Sequence, residues 1–126
     1  MAEHEREADY LILFTAGQYA VFDDRGGTVA PVSTVEVSGA DDQAAYRTLL
    51  EALRSLWQRL GAQVAKKVLV VRGDRQPVIE QLLGKQKPAD EVHQRLRDEA
   101  WQLLSEFKRY WLVYQSPEDT RSILGS

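Results

Sequence analysis

Apolar positions along the chain follow two patterns. Short runs rich in strand-forming residues cover Tyr10–Phe14 and Tyr19–Phe22, and Asp23-Asp24-Arg25-Gly26-Gly27 supplies a turn into a third run, Thr28–Val37. These predict three strands in an antiparallel meander. Pro31 has no N–H to give a ladder, so the third strand suits an edge or a bulge. From Asp41 the spacing becomes helical: Tyr46, Leu49, Leu50, Leu53, Leu56, Trp57 and Leu60 form one apolar stripe, with Asp41 as the expected N-cap and Gly61 closing the segment. Val68-Leu69-Val70-Val71 is uninterrupted, as a strand covered on both faces would be. A short helix is predicted over Gln76–Leu83, with Pro77 in its first turn and Gly84 after its end. Pro88-Ala89-Asp90 opens a longer helix whose core face reads Val92, Leu96, Ala100, Leu103 and Phe107. Tyr110–Tyr114 is the last strand, followed by a polar turn and a short tail.

The order strand, strand, strand, helix, strand, helix, helix, strand implies an α/β fold. Three meander strands and two parallel strands reached by helical crossovers make a five-stranded mixed sheet with helices on its faces. A length of 126 residues suits one domain, placed at 10–126 after a polar, acidic stretch 1–9 that reads as a loose tail. No internal repeat or low-complexity linker interrupts it.

Composition narrows the chemistry. A chain 44% hydrophobic and 28% charged is ordinary for a globular protein. No apolar run approaches the roughly 20 residues that span a bilayer, and the start lacks the basic and apolar regions of a signal peptide, so no membrane partner and a cytoplasmic location are expected. With no cysteine there is neither a disulfide framework nor a thiolate metal site. His4 and His93, one in the tail and one on a helix, support no metal site or catalytic triad. A net charge of −3 gives no global attraction to phosphates, so nucleic-acid binding would need a local basic patch.

Four segments carry a resemblance. Asp42-Gln43-Ala44-Ala45-Tyr46-Arg47-Thr48-Leu49-Leu50 resembles the first-helix motif N-Q-A-E-Y-x-A-L of type 1 ribonuclease H. Val70-Val71-Arg72-Gly73-Asp74-Arg75-Gln76-Pro77-Val78-Ile79 is similar to the family's V-x-G-D-S-Q-L-V-I, and Leu82-Leu83-Gly84-Lys85 continues the match. Ser116-Pro117-Glu118-Asp119-Thr120 resembles P-R-E-D-N. Each piece alone is weak, but the ordered set spans Tyr10 to Ser122.

The resemblance implies the ribonuclease H-like fold and, in active members, hydrolysis of the RNA strand of an RNA–DNA hybrid. There, four carboxylates (Asp, Glu, Asp, Asp) hold two Mg²⁺ ions. Mg²⁺ is a hard cation that takes oxygen ligands, and a pair of ions clamps the attacking water and the leaving oxygen. Matched residue by residue, the T-D-G motif reads Thr15-Ala16-Gly17, putting Ala16 at the first aspartate, and Ala45 replaces the glutamate. Asp74 is kept. The last aspartate falls at Ile123, or at Ser122 with a one-residue shift, and no carboxylate occurs from Thr120 to Ser126. The glycine-rich loop after T-D-G is reduced to Gln18, and the asparagine pair ahead of the first helix is matched by Asp41 and Asp42, which would repel phosphates.

The leading expectation is therefore a catalytically degenerate ribonuclease H-like protein, without catalytic residues or cofactor, acting by binding a partner protein or, weakly, RNA or DNA. The alternatives are an active ribonuclease H using Mg²⁺ or Mn²⁺ with a rearranged site, and a self-associating scaffold. Asp74 is either a relic ligand or an N-cap for the short helix, and Asp41 and Asp42 read as caps and dipole partners. Glu118 and Asp119 are the carboxylates available to rescue a metal beside Asp74. Arg72, Arg75, Lys85 and Lys87 are the candidate phosphate-contacting patch, set against a solvated turn. Trp101, off the core stripe and beside Leu104, is the candidate interface of a homodimer, unless Ile123 and Leu124 fold over its ring.

Overall fold

The sheet is built outward from two inner strands that are mostly apolar. The computed structural model describes residues 8–37 and 41–125. Strands β1 (Tyr10–Thr15), β2 (Gln18–Asp23) and β3 (Thr28–Thr34) form the meander, and β4 (Val68–Gly73) and β5 (Arg109–Tyr114) complete a five-stranded sheet in the order β3-β2-β1-β4-β5. β1 runs antiparallel to β2 and parallel to β4, and β4 runs parallel to β5. The meander, the two parallel strands and the mixed sheet are those expected. Pro31 lies in edge strand β3, whose pairing with β2 carries register shifts.

Helix α1 (Asp41–Leu60) lies across one face of the sheet, with Tyr46, Leu49, Leu50, Leu53 and Leu56 buried against Ile12, Phe14, Leu69 and Val71. Trp57, assigned to that stripe, is instead 41% exposed. Asp41 and Asp42 sit inside the first turn of α1 rather than capping it. A 3₁₀ segment, Gly61–Lys66, leads into β4. Helix α2 (Gln76–Leu82) and helix α3 (Glu91–Leu104) follow. The buried face of α3 is His93, Leu96, Ala100 and Leu104, while Val92 is 43% exposed. The phase differs from the apolar spacing because Asp90 caps the helix with a carboxylate that accepts from both the backbone N–H and Nδ1 of His93 (2.9 and 2.7 Å). This turns the imidazole inward, edge-on to Tyr46.

The polar turn expected after β5 is a helix, α4 (Pro117–Leu124), capped by Ser116 and packed over β1 and β2 on the opposite face of the sheet. Of the stretch read as a loose tail, Ala8 and Asp9 are held against the sheet. Asp9 donates its N–H to the Val68 carbonyl and accepts the Val68 N–H on its carboxylate, both at 2.8 Å, and Ala8 is buried. Residues 1–7 lie outside the described residues. Among the described residues no helix is long and apolar enough to cross a membrane.

Candidate functional site

The ends of β1 and β4 and the start of α1 converge on the positions that the resemblance makes catalytic. β1 and β2 are joined by Ala16 and Gly17 alone, and Gly17 takes the left-handed conformation (φ +94°) that a side chain would strain. Its N–H donates to the Thr48 hydroxyl (2.8 Å), and its carbonyl accepts from the Val35 N–H (2.8 Å). Thr48 is fully buried and donates to the Ala44 carbonyl one turn back. The turn that stands in place of the expected glycine-rich loop is thus tied directly to α1.

Beside it, Ala45 is 0% exposed within the main core cluster, and Ala16 packs against that cluster. Two of the positions that the resemblance assigns to ligands therefore present methyl groups, one within the core and one partly buried against it. Asp74 follows the last residue of β4. Thr15 Oγ1 donates to its Oδ2 at 2.8 Å, while its Oδ1 is buried without a hydrogen-bond partner. Asp74 does not cap α2, whose N-cap is Arg75 with no side-chain hydrogen bond. Gly73, just before it, lies under the ring of Phe14, with room for no side chain: an added Cβ would come within 2.5 Å of the ring.

The remaining carboxylates of the region are engaged elsewhere. Asp42 Oδ1 accepts from Arg75 Nε (2.9 Å) and Nη2 (2.8 Å), and Asp41 stands 3.9 Å from Arg75 Nη1. Asp42 matches an asparagine of the family motif and Arg75 a serine, so two separate departures in sequence meet as one ion pair.

Glu118 and Asp119 are exposed in the first turn of α4, where they complement the helix dipole. Ile123 is 51% exposed and, with Leu11, Phe22 and Val70, lines a groove of about 570 Å³ on the sheet face opposite α1. Ser122 is exposed, and Leu124 is buried against Leu13 and Ala20. Among the described residues no three His, Cys, Asp or Glu side chains stand together as metal ligands. A pair of divalent ions would find one carboxylate, one hydroxyl and two methyl groups here, a donor set that does not fit a two-metal centre.

The four cations named as a patch do not form one. Arg72 points to the opposite face of the sheet, lining the groove and donating Nη1 to Gln115 Oε1 (3.0 Å). Arg75 faces Asp42. Lys85 and Lys87 are exposed in the turn between α2 and α3. The interface placement also needs correction. Trp101 is half-buried, its indole N–H donates to the Leu82 carbonyl (2.8 Å), and Arg97 stacks 4.2 Å over its ring; Leu104 is fully buried. Neither offers a free apolar surface. Tyr46, whose hydroxyl donates to Gln81 Oε1 (2.7 Å), is a core residue, and burial pushes its phenol well above the usual range.

Fold and site together define a ribonuclease H-like domain. The chain belongs to the reverse transcriptase-like family of that superfamily, which matches it over residues 15–123. Solved structures agree on the fold. Ribonuclease H1 from the halophilic archaeon Halobacterium salinarum is 23% identical, with a TM-score of 0.74 and 89% of each chain covered. A ribonuclease H1 isolated from compost by a metagenomic approach is 17% identical, with a TM-score of 0.79, covering 90% of this chain and 89% of its own. The N-terminal ribonuclease H domain of a Mycobacterium tuberculosis protein is 22% identical, with a TM-score of 0.71, covering 87% and 90%. No curated protein matches the chain.

Proposed function

We propose that this chain is a catalytically degenerate ribonuclease H-like domain that acts by binding a partner and does not cleave RNA. The observation that carries this is the complete burial of Ala45 in the core, with Ala16 partly buried against the same core cluster. These are the positions at which the resemblance places two metal-holding carboxylates, and neither methyl group offers a cation an oxygen. The Arg75–Asp42 ion pair supports the same conclusion, because it engages a carboxylate at the start of α1 with a side chain of this chain. Binding of nucleic acid on this face is weak in this reading, since Arg75 is committed to carboxylates and Lys85 and Lys87 alone remain.

The compost ribonuclease H1 has been solved with an RNA/DNA hybrid, which makes that hybrid the substrate to offer. A labelled hybrid incubated with the protein and Mg²⁺ or Mn²⁺ should remain intact over hours. Metal-dependent cleavage that disappears on Asp74→Asn would overturn the reading.

A further inference from the structure

The two outer strands of the sheet are built differently. β3 carries Pro31, register shifts and a run of Thr and Ser, features that discourage another strand from adding to it. β5, Arg-Tyr-Trp-Leu-Val-Tyr, has no proline, no glycine and no charge beyond Arg109, and among the described residues its neighbour in the sheet is β4 alone.

The ladder shows which backbone groups of β5 point outward. Val68 turns its backbone to β1, since it exchanges both of its hydrogen bonds with Asp9. Alternation along β4 then turns Leu69, Val71 and Gly73 to β5, and the Gln115 N–H donates to the Gly73 carbonyl accordingly. The backbone of Trp111 and Val113 therefore faces β4, and the N–H and C=O groups of Tyr110, Leu112 and Tyr114 point away from the sheet.

We propose that β5 pairs antiparallel with β5 of a second copy of this chain, about a twofold axis at Leu112, joining two five-stranded sheets edge to edge. This register sets Tyr110 opposite Tyr114 of the second copy and Leu112 opposite its own equivalent, so every outward group of both strands is bonded. It also sets Trp111 opposite Val113. Aromatic–aromatic and aromatic–β-branched pairs are among the stabilising cross-strand combinations. Registers one step away do worse. An axis at Trp111 sets Tyr114 against Lys108, whose N–H is already given to the Lys67 carbonyl. An axis at Val113 sets Tyr110 against Ser116, which already caps α4.

Charge selects the same direction. Exposed Lys108 and Arg109 open β5, and exposed Glu118 and Asp119 follow its end. Antiparallel pairing brings the basic start of one strand alongside the acidic turn of the other, whereas parallel pairing sets like beside like. A six-residue strand is small against the roughly 20–30 residues a side of a standard interface, so the association is weak and concentration-dependent. The pairing goes beyond the proposed loss of catalysis and stands or falls separately from it, since its readout is mass rather than hydrolysis.

The chain has no cysteine, so one introduced thiol reports the register. Leu112→Cys places two thiols on the axis, where opposed Cα atoms lie about 5.5 Å apart, within disulfide reach. Trp111→Cys leaves its two thiols off the ladder from one another. Tyr114→Pro deletes an outward N–H while sparing the bonds to β4. Sedimentation should show the wild type in a monomer–dimer equilibrium that Tyr114→Pro weakens at least about tenfold, with far-UV circular dichroism unchanged. On oxidation Leu112→Cys should become a covalent dimer and Trp111→Cys should not. A wild type that stays monomeric at the highest attainable concentration would overturn the proposal. So would a dimer indifferent to Tyr114→Pro in a folded variant, or cross-linking faster through position 111 than 112. If Tyr114→Pro unfolds the chain, the two cysteine variants decide alone.

Discussion

Ala45 stands where the resemblance places a catalytic glutamate, and in this structure it is a core residue. A glutamate at a metal site needs a cation to offset its desolvation, but here the position is sealed in the core. Ala45→Glu would bury an uncompensated carboxylate and should cost about 3–5 kcal/mol, measured by urea denaturation in chelator; a loss under 1 kcal/mol would mean the position opens to solvent. Gly73 is constrained from the other side. Gly73→Ala drives a methyl into the buried ring of Phe14, and overpacking of this kind should cost about 1–3 kcal/mol. A neutral result there would show that the ring yields freely. The missing carboxylates were legible in the sequence, because Ala16 and Ala45 stand inside recognisable motifs. The Arg75–Asp42 pair was not, since its partners lie 33 residues apart and only the docking of α1 beside β4 joins them.

At the scale of elements, the sequence specifies best what period and turn residues govern. The meander, α1 and β4 follow directly from alternation, helical spacing and the Asp-Asp-Arg-Gly-Gly turn. The phase of α3 did not, because hydrophobicity favours Val92 for the core while the cap places His93 there. Helix α4 had its signals in plain view, Ser116 as N-cap, Pro117 after it and two acids in the first turn, but few apolar residues to mark a buried face. The α3 cap also sets a pH dependence. Hydrogen bonds from the backbone N–H and side chain of His93 hold the Asp90 carboxyl below its usual 3.8. A group whose folded pKa is depressed stabilises the fold above its unfolded value and loses that contribution as pH falls through the folded one. Acid unfolding below about pH 3.8 should therefore be less steep in Asp90→Asn than in the wild type, while stability of the wild type stays flat in this contribution from pH 5 to 7. Equal acid slopes would show that the cap carries no linked proton.

For the molecule as a whole, the sheet and α1 keep the ribonuclease H-like architecture, and in the function proposed above the chemistry at the ends of β1 and β4 has been replaced. In that reading the positions that would have gathered metal are taken by a two-residue turn tied to Thr48, an alanine in the core, a second partly buried against it, and an arginine paired with acids. One carboxylate remains. The most direct test is a calorimetric titration of the wild type with Mn²⁺ in low-salt buffer. No saturable binding should appear up to millimolar metal, and Asp74→Asn should leave the trace unchanged. Two Mn²⁺ ions bound per chain, with the heat abolished by Asp74→Asn, would contradict the account.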